Sequence, residues 1–159
     1  MPVEEALKTG KIVEGSLCYT GDITSPKEVK YTLDYYVKKA HELEDMGVHI
    51  LAIKDMAGLL KPYAAKLLVE SLKSELKIPV HLHTHDTTGN QVAALLLAAE
   101  AGVDVVDVAC APMAGLTSQP SLDAGVAALP GTERDTGLDP RPGQGLSQHW
   151  SGVRLRYES

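Results

Sequence analysis

The segment HLHTHD, His81 to Asp86, sets three imidazoles at alternate positions and closes on a carboxylate. On a strand, residues two apart point to one side, about 6.6 Å from each other along the chain, so His81, His83 and His85 share a face. Neutral imidazole is a good donor to a borderline dication. Two rings at this spacing converge on one ion where a strand end twists. The competing reading is a set of hydrogen-bonded histidines in a core or loop. His83 and His85, at the C-terminal end of the segment, are the candidate metal ligands. His81 lies one layer deeper and reads as a structural residue or a support behind them.

Lys54 follows HILAI (residues 49–53) directly and stands at the mouth of what reads as the neighbouring strand. A buried ammonium is costly, so a lysine there is paired, neutralised or chemically modified. Asp55 and Asp86 are the candidate ion-pair partners. Beside a dication, an ammonium is repelled. The carbamate formed by adding CO2 to the neutral amine instead supplies an anionic oxygen ligand. Two imidazole nitrogens and one such oxygen suit zinc or manganese. Spacing alone leaves pairing and modification both open.

The elements that must carry these side chains alternate along the chain. Four short β-like runs, residues 12–18, 49–53, 79–83 and 103–109, are separated by longer stretches with helical periodicity. The first helix is expected over residues 25–47, with Ser25 as N-cap, Pro26 at the first helical position and Glu28 completing a capping box. Val29, Leu33, Tyr36, Val37, Ala40, Leu43 and Met46 would form its apolar face, and Gly47 would end it. A second helix starts at Lys61-Pro62 and carries Ala65, Leu68, Leu72 and Leu76 on one face. A third runs from Gln91 to Ala101 and stops at Gly102. Single helices between strands demand parallel pairing, so every strand delivers its C-terminal end to one common rim. The loops leaving that rim are rich in Gly, Thr, Ser, Asp and His, where ligand sites of α/β folds are found. Among their residues, Asp86 reads as a helix cap or as a group orienting a histidine, and Thr117, Ser118 and Gln119 as ligand contacts or turn residues. Tyr19, Thr20, Asp22 and Cys110 are weaker candidates.

Composition bounds the rest. The chain has 159 residues, short of the roughly 250 of a complete eight-stranded α/β barrel. With 21 acidic against 15 basic residues and no Lys/Arg cluster, it lacks the footprint needed to track a nucleic-acid backbone. The apolar run from Val92 to Ala99 is broken by Glu100 and is too short to span a bilayer. The first residues lack a secretory apolar core. A cytoplasmic protein without a membrane span is therefore expected. Cys18 and Cys110 belong to no metal-binding pair and read as reduced thiols.

Three separated motifs in order carry a resemblance: EGSLCYTGDITSPKEVK through ILAIKDMAGLLKPYAAKLLVESLK, then HLHTHDTTGN, then VDVVDVACAPMAGLTSQPS. From about Val13 to about Asp139 the chain resembles the carboxyltransferase domain of the pyruvate carboxylase and oxaloacetate decarboxylase alpha-subunit family. The resemblance implies an α/β fold, a partial (β/α)8 TIM barrel whose four parallel βα units correspond to strands five to eight. It implies a carboxylated, catalytic Lys54 that binds a divalent metal, zinc or manganese, together with His83 and His85. It implies biotin carried on a partner domain, and a carboxyl group moved between carboxybiotin and pyruvate to give oxaloacetate, or the reverse decarboxylation. The implied partners are pyruvate or oxaloacetate, biotin carrier and biotin carboxylase domains or subunits, and the missing half of the barrel.

Against that family pattern the chain departs in three places. The metal-binding aspartate of the first strand, the arginine that grips the substrate carboxylate and the proton-shuttling threonine beyond the last strand have no counterparts. An incomplete fragment, inactive alone, is the expectation. A non-catalytic remnant and a metal-dependent acyl-CoA condensing barrel are the alternatives; Lys54 argues against the latter. Residues 1–136 are expected to form the half barrel. Residues 137–159 are expected to form a poorly ordered tail, in which Pro140, Pro142, Gly143 and Gly145 interrupt any helix before Trp150.

Overall fold

A computed structural model describes residues 2–139 and 141–157. Its centre is a parallel four-stranded sheet in the order β1-β2-β3-β4, made of β1 (Glu14–Cys18), β2 (Ile50–Asp55), β3 (Val80–Thr84) and β4 (Val105–Val106). Between them lie α2 (Leu33–Asp45), α3 (Pro62–Glu75) and α4 (Gln91–Glu100). A short α1 (Pro2–Leu7) precedes the sheet. A 3-10 turn (Ala111–Met113), α5 (Leu122–Ala128) and α6 (Arg141–Arg154) follow it. This is the expected run of four parallel βα units, arranged as part of a TIM barrel.

Strand alternation gives the sheet two unlike faces. Leu51, Ile53, Val80 and Leu82 point to one side and are almost wholly buried against Tyr36 and Ala40 of α2, Leu68, Val69 and Leu72 of α3, and Ala94, Leu95 and Ala98 of α4. With no Phe in the chain, this aliphatic layer is the hydrophobic core. The opposite face bears Glu14, Ser16, Lys54, His81 and His83, and among the described residues no helix lines the recess there. In a closed barrel that face is the interior.

The start of α2 departs from the expected boundary. Thr32 is its N-cap, accepting a hydrogen bond from Tyr35 N, and Ser25 lies seven residues upstream in a turn closed by Glu28 N to Ser25 O. The cause is Glu28. Its carboxylate turns forward and accepts from Lys30 N and Tyr31 N at 2.9 Å each, which spends it on a local turn rather than a capping box. Val29 is left 87% exposed instead of joining the apolar face. The C-terminal end is as read: Gly47 follows α2 with φ +89°, a left-handed position open to glycine at no steric cost. The second and third helices start where expected, α3 at Pro62 and α4 at Gln91.

The tail is also corrected in part. Residues 141–154 are helical rather than interrupted. Pro142 falls in the first turn, where a missing N–H removes no intrahelical bond. Arg154 near the far end donates to Pro112 O at 2.8 Å, tying α6 to the 3-10 turn. Pro140 and the last two residues lie outside the described residues. Among the described residues no helix is long and apolar enough to cross a membrane.

Candidate functional site

The site is assembled by β2, β3 and the residue after β4. In the sheet register Lys54 pairs with His83, and Cys18 with Lys54, so these side chains line up across three strands at the C-terminal rim. Lys54 and His83 line one recess of about 160 Å³ together with Glu14, Ser16, Ala52, His81 and Asp107. His85, just past the strand end, brings its Nε2 to 3.2 Å from Nε2 of His83.

The remaining ring nitrogens fix what those two atoms are. Nδ1 of His83 donates to Asp107 Oδ2 at 2.6 Å, and Nδ1 of His85 donates to the Thr117 carbonyl at 2.7 Å. A carboxylate and a carbonyl only accept, so both Nδ1 atoms hold the proton and, in neutral rings, both Nε2 atoms present lone pairs. Two lone pairs face each other across 3.2 Å. That juxtaposition asks for a shared cation or an added proton. Two nitrogens each about 2.1 Å from a common dication stand about 3.0–3.4 Å apart when the angle between them runs from a right angle to tetrahedral. The donor geometry of His83 and His85 therefore fits a metal. Among the described residues no three His, Cys, Asp or Glu side chains converge on one point.

Lys54 shares the recess with His83. Among the described residues it forms neither of the ion pairs weighed from the sequence. Asp55 points through the sheet to the buried side, and Asp86 accepts from Gln91 N at 3.0 Å, at the start of α4. Asp86 is thus a helix-capping residue.

Deeper in the recess, His81 sets Nδ1 2.8 Å from Glu14 Oε2. Its Nε2 is 3.1 Å from Asp107 Oδ2, inside ion-pair range but off the hydrogen-bonding line. Burial pulls His81 down, yet the carboxylates of Glu14 and Asp107 outweigh it and hold the ring above its ordinary value. For Asp107, burial raises the carboxyl, but the His83 bond and the charge of His81 prevail and hold it below the usual range. Asp107 thus links the two rings and is the functional residue that reading the sequence missed. The signal was present: an acid two residues beyond Val105, in phase with the histidine face, in the run VDVVDVA.

Thr117 enters through its carbonyl rather than its hydroxyl. It follows Leu116, whose φ of +53° is the one left-handed non-glycine position among the described residues. Backbone held in that region at a ligand-facing loop is a common mark of a functional site. Ser118 O accepts from Asp86 N, and Gln119 O from Gly115 N, so both shape the same turn. Tyr19 lies in the core, its phenol pushed up to about 12 mainly by burial. Thr20 gives its N–H to the Tyr36 hydroxyl. Asp22 bonds Lys61 at 2.6 Å and Thr24, and these hold its carboxyl below the usual range. Cys18 and Cys110 are both free thiols.

Known proteins share this fold and sequence. The HMGL-like family matches residues 5–141. Pyruvate carboxylase of Bacillus subtilis is 50% identical over 157 residues, and that of Staphylococcus aureus 54% over 155. These alignments take in 99% and 97% of this chain and 14% of either relative, so the chain spans about one-seventh of their length. The carboxyl transferase domain of Rhizobium etli pyruvate carboxylase, solved with pyruvate, superposes with a TM-score of 0.94 at 49% identity, covering 98% of this chain and 26% of that one. The same domain has been solved with pyruvate and biocytin. The parallel βα units, the rim histidines and the extent of these matches lead to one conclusion: the chain belongs to the HMGL-like family, in a stretch alike to part of the carboxyl transferase domain of pyruvate carboxylases.

Proposed function

We propose that this chain supplies the metal-binding half of a biotin-dependent carboxyltransferase barrel, which moves a carboxyl group between carboxybiotin and pyruvate to give oxaloacetate, or runs the reverse decarboxylation. The carrying observation is the pair of Nε2 atoms 3.2 Å apart, each on a ring whose other nitrogen is tied to an acceptor. In this reading His83, His85 and Lys54 hold a divalent ion, zinc or manganese. Lys54 takes part as its carbamate: the neutral amine adds CO2 and a proton leaves to solvent, which turns a repelled cation into an anionic donor. When bound, the metal supplies Lewis-acid polarisation of a carbonyl oxygen.

The chain's own residues prepare that site. Asp107 and the Thr117 carbonyl hold both rings in the tautomer that points a lone pair at the same place. Glu14 and His81 keep the layer beneath polar and charged. The uncovered face of the sheet receives the missing barrel half, which closes the site and contributes the groups that grip the substrate. Carboxybiotin arrives on a biotin carrier domain, recharged by a biotin carboxylase domain. The division into a half barrel at residues 1–136 and a separate tail at 137–159, a cytoplasmic location and inactivity of the chain alone belong to the same reading. The likeness to pyruvate carboxylases and to a carboxyl transferase domain solved with pyruvate and biocytin supports it.

The test is reconstitution. Co-expression with the first four strands of a relative's domain, followed by addition of a biotinylated, carboxylated carrier, is expected to yield oxaloacetate from pyruvate, with loss of turnover in His83→Ala. A reconstituted barrel that binds metal yet turns over acyl-CoA esters and ignores carboxybiotin would overturn the proposal.

A further inference from the structure

On the buried side of the sheet, directly behind the candidate metal centre, lies a polar cluster. Asp55, Thr84 and Gln91 are each fully buried in the apolar layer. Asp55 carries no cationic partner among the described residues. Its Oδ1 accepts from Leu59 N at 3.0 Å, and its Oδ2 from Leu60 N and the Thr84 hydroxyl at 2.9 Å each. The Thr84 hydroxyl is equally 2.9 Å from Gln91 Oε1, so its one proton serves two acceptors. Gln91 Nε2 donates to Gly58 O and Leu60 O at 3.2 Å each. A carboxylate, a hydroxyl and an amide thus close the 56–60 loop onto the start of α4.

The position of the cluster follows from strand alternation. Asp55 succeeds Lys54 and Thr84 succeeds His83, and the register that pairs Lys54 with His83 also pairs Asp55 with Thr84. His85 N adds a bond to Asp55 O at 3.1 Å. A tilt of β2 against β3 that parts Lys54 from His83 has to break the Thr84–Asp55 bond in a layer that water does not reach, with its full desolvation penalty. A shift of the 84–91 segment that carries His85 has to strip Gln91 from two carbonyls.

We propose that Asp55, Thr84 and Gln91 form a buried pin that sets Lys54 in line with His83 and His85, making all three positioning residues for the centre in front of them. The inference rests on the metal reading above. Its function is geometric: the pin fixes the relative placement of two strand ends, beyond its share in stability.

The test uses the full 159-residue chain, with Co2+ as the probe, and compares wild type, Thr84→Val, Thr84→Ser, Gln91→Met and His83→Ala. Thr84→Val keeps the side-chain shape and removes the hydroxyl, and Gln91→Met removes the amide bonds from a residue on α4 rather than on the histidine strand. Co2+ affinity is expected to fall about tenfold or more in Thr84→Val and Gln91→Met, with altered visible absorption bands, and to return toward wild type in Thr84→Ser. Wild-type affinity and spectra in both variants, alongside lowered unfolding midpoints, would reduce the cluster to a stability element and overturn the pin. A metal-free readout stands apart from the reading it rests on. Side-chain nitrogen NMR shifts of His83 and His85 should move in Gln91→Met, and unchanged shifts would sink the pin even in a chain that binds no Co2+. Equal Co2+ binding by wild type and His83→Ala would instead fell the metal reading.

Discussion

Asp107 Oδ2 stands 2.6 Å from Nδ1 of His83, reaching it from the residue after β4. Through that contact the segment after β4 meets a ring on β3. Removing the carboxylate in Asp107→Ala frees the ring to rotate and to exchange its proton between nitrogens. Divalent-metal affinity is expected to fall about 10- to 100-fold. Titration of the chain with Co2+, followed by absorption, measures it; an affinity within twofold of wild type would refute the orienting role.

Metal that binds the folded chain alone stabilises it by mass action. With free Zn2+ or Mn2+ at a hundred times its dissociation constant, the gain is about 2.7 kcal/mol. Thermal unfolding with and without chelator reads the increment directly. His85→Ala should erase the increment while leaving the melting of the metal-free chain nearly unchanged.

Gly58 bears on the same loops through its backbone. It sits at φ +66°, and a Cβ there would meet His85 O at 2.6 Å. Gly58→Ala therefore combines backbone strain with a collision against the residue that carries the second ring. A loss of about 1–3 kcal/mol in urea unfolding is expected, together with weaker Co2+ binding.

Asp104 gives the chain an acid-sensitive contact at the opposite rim. Its Oδ2 is 2.7 Å from Lys73 Nζ on α3 and 2.8 Å from Val80 N at the start of β3. Burial raises this carboxyl, but Lys73 and the Val80 N–H outweigh it and hold it below its ordinary value. A carboxyl lowered by folding contributes stability above its unfolded value, about 3.9, and loses it as pH falls through the folded value. The gap between wild type and Asp104→Asn should thus be flat near neutrality and close in the acid range below pH ~4. With both partners partly exposed, it should stay under about 1 kcal/mol. Denaturant melts at stepped pH would expose a gap that instead widens in acid.

The core offers a control far from ion chemistry. Leu82 is fully buried between the sheet and its helices. Leu82→Ala should cost about 2–5 kcal/mol, read in urea.

Much of this was legible from residue spacing. Alternation in HLHTH placed His83 and His85 near one another, and the strand-helix rhythm from Ile12 to Ala109 announced a parallel sheet with one functional rim. What escaped was information carried by contact rather than by order. Glu28 looked like a capping-box acid because it stands three residues after Ser25, yet its carboxylate folds forward onto Lys30 N and Tyr31 N. Asp55 looked like a partner for Lys54 because they are adjacent, though adjacency on a strand means opposite faces. Asp107 and the Thr117 carbonyl belong to the site only because register and a left-handed turn bring distant segments together. The helix over residues 141–154 formed despite its proline and glycines because the proline falls where a helix tolerates it.

One consequence of the two-faced β2 concerns how the chain finds its alignment. Ile53, Lys54 and Asp55 are consecutive, and each depends on facing the correct way. A slip by a single position would drive an ammonium into oil, hand an isoleucine to water and orphan the amides of Leu59 and Leu60 all at once. The strand thereby proofreads itself, and the histidines inherit a correctly indexed neighbour from the act of folding.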